Sequence, residues 1–329
     1  MKLENNKLIL ITLLVVFLML LFIKKKQRKE AKKNIITYVC DYITIINKKK
    51  FYIIFLRLNT NRDYIKCYKI NKDNKKVIEL KIFIDGIPSD NFNTSIVHNF
   101  TVYNTESNYY IANAGRDQYD DINYDKGHDE GMYFFKGNLK NDIFHFESLG
   151  LQIKKETGGL QTHPGSNECY TPIIKIKQKF FIYCRYNVKE GERKVQIFES
   201  FNGLYNWKLY DIVSFYDTDN KLLDNVSIYL INISFFNNKL VGMVRLSKNK
   251  TNIDTEDKSY NLYYILSDDG VKFKLIKKII NGDFWPCYGS YIENNKLNLF
   301  ILERFKNYIS KVIIDKSFNY KIVRNVLKL

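Results

Sequence analysis

Residues 179–207 read KFFIYCRYNVKEGERKVQIFESFNGLYNW. An apolar, aromatic run opens on Lys179, a charged turn containing Gly191 follows, and a second run from Lys194 leads into Asn202-Gly203 before Trp207. Runs of this length, rich in aromatic and β-branched residues and bounded by Gly and Asn, read as two antiparallel strands joined by a hairpin. The same grammar recurs along the chain. The first strand of the pair begins at Lys50, Asn108, Lys179, Lys239 and Lys296, and its partner at Asp63, Gly131, Lys194, Asn261 and Tyr308.

An apolar strand precedes each pair and another follows it. Five four-stranded units repeating every 60 residues or so predict an all-β fold, a five-bladed β-propeller. The blades are expected at approximately 36–85, 96–153, 169–213, 226–280 and 287–328. An irregular β-sandwich or a pair of β domains competes with this arrangement, but the turns favour the propeller. Ser200-Phe-Asn-Gly-Leu-Tyr-Asn-Trp207 and Ser267-Asp-Asp-Gly-Val-Lys-Phe273 share a Ser, an Asn or Asp two residues on, a Gly and then an aromatic. The Asn or Asp bonds local backbone, the Gly supplies a positive φ, and the aromatic turns back between strands. Residues 140–144, Lys-Asn-Asp-Ile-Phe, read as a worn copy.

The N-terminal region differs in kind. Residues 8–23, LILITLLVVFLMLLFI, carry no charge and predict one transmembrane helix after a short tail at 1–7 and before a basic linker at 24–35. At 1.5 Å per residue the run covers about 24 Å, and Lys7 and Lys24 extend it by snorkelling. No small-residue cleavage site follows, so the run is expected to remain as an anchor in membrane lipid. Lysines and arginines cluster on its C-terminal side, which predicts a single-pass protein with the domain at 36–329 on the cytoplasmic side. Five N-x-S/T sequons, at Asn93, Asn99, Asn225, Asn232 and Asn249, point the other way, although an Asn-rich chain generates several by chance.

A net charge of +17 raises the question of nucleic acid. Lysine outnumbers arginine nearly fivefold and no zinc-knuckle, helix-turn-helix or RNP-like signature appears, so a nucleic-acid partner is not expected. A basic surface facing anionic lipid or acidic glycans accounts for the same charge. Cys40, Cys67, Cys169, Cys184 and Cys287 form no CxxC pair and read as buried thiols. His128 and His163 are too sparse for a metal site, and the acidic stretch 117–130 departs from a calcium loop and reads as a solvated insertion. No metal and no cofactor is expected, and no P-loop, GxSxG, HExxH or dinucleotide motif is present.

The stretch 185–207 resembles a pattern met in glycoside-hydrolase-like five-bladed propellers of sialidase or arabinanase type. It carries Tyr183 and Arg185 at a strand end, Gly191 and Arg193 in a turn, and Ser200, Asn202 and Trp207 in an Asp-box-like hairpin. Upstream, Gly165-Ser166-Asn167-Glu168 matches the family's Asp-Ser-x-Asn segment with its acidic residue displaced. The resemblance implies a ligand at the central funnel, where the innermost strands begin. Hydrolysis there needs two carboxyl groups across the sugar. By that resemblance Glu168 is the candidate general acid and Asp41 the nucleophile or base. Asp224 or Asp283 orients substrate, Arg185 and His98 bond hydroxyls or a carboxylate, and Trp285 stacks on a sugar face. The expectation is a membrane-anchored propeller that binds or hydrolyses a carbohydrate. The alternative is a non-catalytic scaffold for an unspecified protein partner at a membrane or virion.

Overall fold

The computed structural model describes residues 40–58, 64–91, 98–105, 109–116, 131–154, 157, 172–188, 193–224, 226–247, 260–280, 284–303 and 306–328. The first blade comprises β1 (Cys40–Asn47), β2 (Phe51–Leu58), β3 (Tyr64–Asn71) and β4 (Val77–Ile84), with a two-residue strand β5 (Ile87–Pro88) on its edge. Blade 2 holds β6 (His98–Asn104), β7 (Tyr110–Arg116), β8 (Gly131–Lys140) and β9 (Ile143–Lys154). Blade 3 holds β10 (Ile174–Ile176), β11 (Lys179–Asn187), β12 (Arg193–Ser200) and β13 (Lys208–Ile212). A short β14 (Ser214–Tyr216) leads into blade 4, which is β15 (Ser227–Phe236), β16 (Lys239–Ser247), β17 (Asn261–Ser267) and β18 (Lys272–Ile280). Blade 5 is β19 (Phe284–Glu293), β20 (Lys296–Glu303), β21 (Tyr308–Ile314) and β22 (Tyr320–Lys328). Each blade is an antiparallel meander, β1-β2-β3-β4 and its counterparts.

These strands form one compact unit, Tyr38–Leu327; the remainder, Met1–Thr37 with Lys328–Leu329, lies outside the described residues except for Lys328. The apolar run 8–23 is therefore also outside them. Among the described residues no helix is long and apolar enough to cross a membrane.

Asparagine sets most of the tight turns. Ten of the sixteen non-glycine residues with positive φ among those described are Asn, including the paired turns Asn237-Asn238 and Asn294-Asn295. Two consecutive positive-φ residues make the type I′ turn that matches strand twist, and Asn tolerates that conformation better than other side chains.

The cores lie between blades. Phe55 on β2, Phe100 on β6, Phe135 on β8 and Phe144 and Phe146 on β9 interlock between blades 1 and 2, with Phe55 and Phe144 rings 4.9 Å apart. Ile111 and Phe134 meet Ile182, Phe198 and Trp207 between blades 2 and 3. Met243 and Tyr264 meet Leu299 and Val312 between blades 4 and 5. Burying each such ring contributes roughly 1.5–3 kcal/mol.

Blade 1 is fastened to two neighbours by backbone bonds. Its innermost strand β1 pairs in parallel with β19 of blade 5, Thr44 opposite Tyr288, and its outermost strand β4 pairs in parallel with β9 of blade 2. Gly289 makes the first contact possible. It sits at φ +90, and a Cβ there would meet the Ile45 carbonyl oxygen at 2.1 Å.

Candidate functional site

The innermost strands β1, β6, β10, β15 and β19 surround the propeller axis. Four of them are irregular, β1, β6 and β15 near their starts and β19 at its middle. Pairing to the second strand slips between Asp41 and Thr44, His98 and Thr101, Ile228 and Leu230, and Cys287 and Ser290. A bulge of this kind bends the strand and re-aims a side chain. Tyr42, Asn99, Tyr229 and Tyr288 occupy those bulges, and Tyr42 (φ 53) and Asn99 (φ 57) adopt left-handed backbone there.

The bulged residues build an aromatic wall across blades 1, 4 and 5. Tyr42 and Tyr288 stack with centroids 6.5 Å apart, and Trp285 meets Tyr42 and Tyr229 edge-on at 6.3 and 5.1 Å. Behind the wall, the Arg245 guanidinium is fully buried, 4.6 Å from the Trp285 ring centroid and 5.2 Å from Tyr229. Arg193 approaches Tyr229 at 5.0 Å, and the Ser227 and Tyr260 hydroxyls hydrogen-bond at 3.1 Å. Cation–π contacts away from water are worth up to about 2 kcal/mol each, so this arrangement is stiff.

Nearer the far ends of the same five strands lies a cavity of about 290 Å³. Asn47, Asn104, Lys175, Asn232, Ser234 and Ser290 supply its polar lining. Asn232 also donates from Nδ2 to the Cys287 carbonyl at 2.7 Å and so ties blade 4 to blade 5. Asn99 and Asn232, two of the five sequon residues, are each 1% exposed, so the folded domain offers neither amide to a glycosyltransferase. They drop out as arguments about orientation.

The residues singled out from the sequence fall as follows. Asp41 is the second residue of β1, and its backbone stands opposite Arg57 of β2. His98 opens β6 opposite Gly115. Asp224 is exposed three residues before β15, and its carbonyl accepts a 3.1 Å bond from Lys194 Nζ. Arg185, on β11, is buried at 8% exposure. Trp285, at 2% exposure, is part of the aromatic wall, with the Arg245 guanidinium over its ring. Glu168 and Asp283 lie outside the described residues.

Sequence reading passed over a simple signal. Every second strand carries an arginine within two residues of its end: Arg57, Arg116, Arg185 and Arg245 on β2, β7, β11 and β16, and Arg304 just after β20. Arg57, Arg185 and Arg245 are all buried. Cys67, Cys184 and Cys287 are buried thiols; burial pushes Cys67 and Cys287 well above the ordinary thiol range, which keeps them protonated and unreactive.

The Asp-box-like turns are built as their residues imply. Ser200 Oγ accepts from the Gly203 N–H (3.1 Å) and donates to the Tyr205 carbonyl (2.6 Å), while Asn202 Oδ1 accepts from Leu204 and Tyr205 N–H. In the second turn Ser267 Oγ accepts from Gly270 N–H, and Asp269 Oδ1 accepts from Val271 and Lys272 N–H, each at 2.8 Å. Trp207 and Phe273 turn back into the interblade cores. Blade 5 carries a further version that the sequence pattern missed: Asp315 Oδ1 accepts from Ser317 and Asn319 N–H, with Phe318 rather than Gly at positive φ.

No protein-family model and no curated protein matches the chain. Solved structures do. The α-L-arabinanase of Penicillium chrysogenum, solved with arabinobiose, aligns over 89% of this chain and 95% of its own at a TM-score of 0.52 and 10% identity. The family 93 α-L-arabinofuranosidase of Fusarium graminearum, also with arabinobiose, aligns over 88% and 82% at 0.53 and 11%. A family 43 enzyme of Xanthomonas citri aligns over 80% and 82% at 0.52 and 7%. The fold is a glycoside-hydrolase-type β-propeller. At these identities the likeness speaks for architecture; chemistry must come from the residues.

Proposed function

We propose that this chain is a glycoside-hydrolase-like propeller that binds a carbohydrate where its innermost strands begin, and that residues 8–23 anchor it in a membrane with the propeller on the cytoplasmic side. The aromatic wall of Tyr42, Tyr229, Trp285 and Tyr288 is the observation that carries the binding reading. It stands where the innermost strands begin in a fold shared with propellers solved with arabinobiose; Tyr42, Trp285 and Tyr288 are buried, and the part-exposed Tyr229, braced edge-on by Trp285, offers a sugar an apolar ring with a polar hydroxyl. Arg193 and Arg245, 5.0 and 5.2 Å from the Tyr229 ring, put fixed positive charge beside this wall, so sugars bearing a carboxylate or sulfate belong beside neutral ones in any screen.

Hydrolysis rests on the carboxyl groups. In this reading Glu168 is the general acid, Asp41 the nucleophile or base, and Asp224 or Asp283 orients the sugar; Arg185 and His98 bond its polar groups, and the edge of Trp285 borders it. A panel of aryl glycosides, arabinofuranosides among them, tests this directly. Turnover is expected to fall at least a hundredfold in Glu168→Gln, the scale of losing general acid catalysis. A parent protein that binds arabinobiose but cleaves nothing leaves a binding module. One that does neither returns the fold to a protein-interaction scaffold. The anchor is tested separately: the full chain is expected in the membrane pellet after carbonate extraction, and protease added outside sealed cells should leave the propeller intact.

A further inference from the structure

The largest apolar exposure of the described surface lies far from the funnel mouth. Phe201, in the turn after β12, is 76% exposed, and Tyr210 on β13 is 49% exposed. Both line a cleft of about 620 Å³ between blades 3 and 4, together with Phe181, Phe235, Glu199 and Asp268. That volume is in the range of small-molecule sites. The cleft is bordered by the β10–β11, β15–β16, β12–β13 and β17–β18 turns, at the ends of the innermost strands, so it opens on the face opposite the funnel. Phe235 also lines the axial cavity, and the two spaces adjoin there.

Chemistry narrows the occupant. Lys179 is paired with Glu199 at 2.8 Å, and Lys239 with Asp268, so the cleft's charges are balanced internally. A charged peptide or an isolated ion finds no net field to favour it. What is left is a ring-faced platform, Phe181 edge-on to Tyr210 at 5.6 Å and Phe201 with the Lys179 ammonium over one face of its ring, 5.3 Å from the centroid, rimmed by carboxylates that accept hydrogen bonds and ammonium groups that donate them. A neutral polyol ring with apolar C–H faces and hydroxyls at its edge complements that pattern.

We propose that the cleft between blades 3 and 4 is a second saccharide site, which takes a neutral sugar by stacking on Phe201 and Tyr210 and by hydrogen bonds to Glu199, Asp268 and Lys177. It is independent of the funnel reading.

Calorimetric titration of the full chain, held in a detergent without a sugar headgroup, with arabinotetraose, xylotetraose, cellotetraose and mannotetraose tests it. At least one is expected to bind saturably, with affinity unchanged between low and high salt. Phe201→Ala and Tyr210→Ala should each weaken it by about three- to tenfold, the scale of one lost ring contact, and Phe201→Tyr should retain it. A diazirine-bearing version of the bound sugar should crosslink within residues 176–210 or 235–240. Four findings would overturn the proposal: no saturable binding of any probe, binding insensitive to both alanine variants, crosslinks confined to the funnel, or a dimer in sedimentation that Phe201→Ala dissolves while no sugar binds.

Discussion

At the scale of single residues, two glycines separate conformational strain from steric closeness. Gly86 (φ +80) and Gly289 (φ +90) both hold left-handed backbone, but a Cβ on Gly86 meets nothing within 4 Å. Gly86→Ala should therefore cost about 1 kcal/mol of stability, the ordinary penalty for an L side chain there. Gly289→Ala must also push β19 off the Ile45 carbonyl, and should cost at least about 3 kcal/mol. Urea unfolding followed by tryptophan fluorescence measures both, and equal losses would refute the close approach. The funnel's side chains were poorly legible at this scale for a related reason. Alternation assigns a face only while register holds, and register slips in β1, β6, β15 and β19. The sequence shows Trp285 only as an aromatic available to a sugar; its enclosure by Tyr42, Tyr229 and Arg245 depends on those slips.

Elements were far more readable. The expected second and third strands begin within two residues of β2, β7, β11, β16 and β20, and of β3, β8, β12, β17 and β21. Aromatic and β-branched runs between Asn- or Gly-bearing turns carry that information locally. The parallel pairs β1–β19 and β4–β9 carry no such signal, because they join segments distant in sequence. Turn chemistry also yields tests. Ser267→Ala removes the hydroxyl that receives the Gly270 N–H and should cost about 1 kcal/mol. Asp269 adds a pH dependence. Burial raises its pKa, but bonds from the Lys272 and Val271 N–H and the Ser267 hydroxyl, with the Lys272 charge, outweigh burial and hold it below 3.8. A depressed folded-state pKa stabilises above the unfolded value and is lost as pH falls through the folded one. The stability gap between the parent and Asp269→Asn should thus be steady near neutrality and close as pH drops below 3.8. A gap that widened in acid, measured by thermal melts across pH, would reverse the assigned sign.

For the molecule as a whole, stability is spread over interblade cores, and each blade depends on its neighbours. Ending the chain after residue 280 would remove blade 5, strip the partner from β1 and expose Met243 and Tyr264. Such a truncation is expected to elute as large aggregates on size exclusion, since an open strand edge and a bare apolar face both recruit other chains. A well-behaved monomer would mean that blades 1 to 4 close on themselves.

The pairing of Thr44 with Tyr288 also sets a clock. These partners are about 240 residues apart, which at ribosomal speeds of about 5–20 residues per second is roughly 10–50 seconds of synthesis. For all of that interval β1 has been made and its mate has not. A nascent chain in that state presents the strand edge that chaperones bind, and slowing translation between codons 58 and 284 should lengthen the exposure and lower the yield of soluble protein.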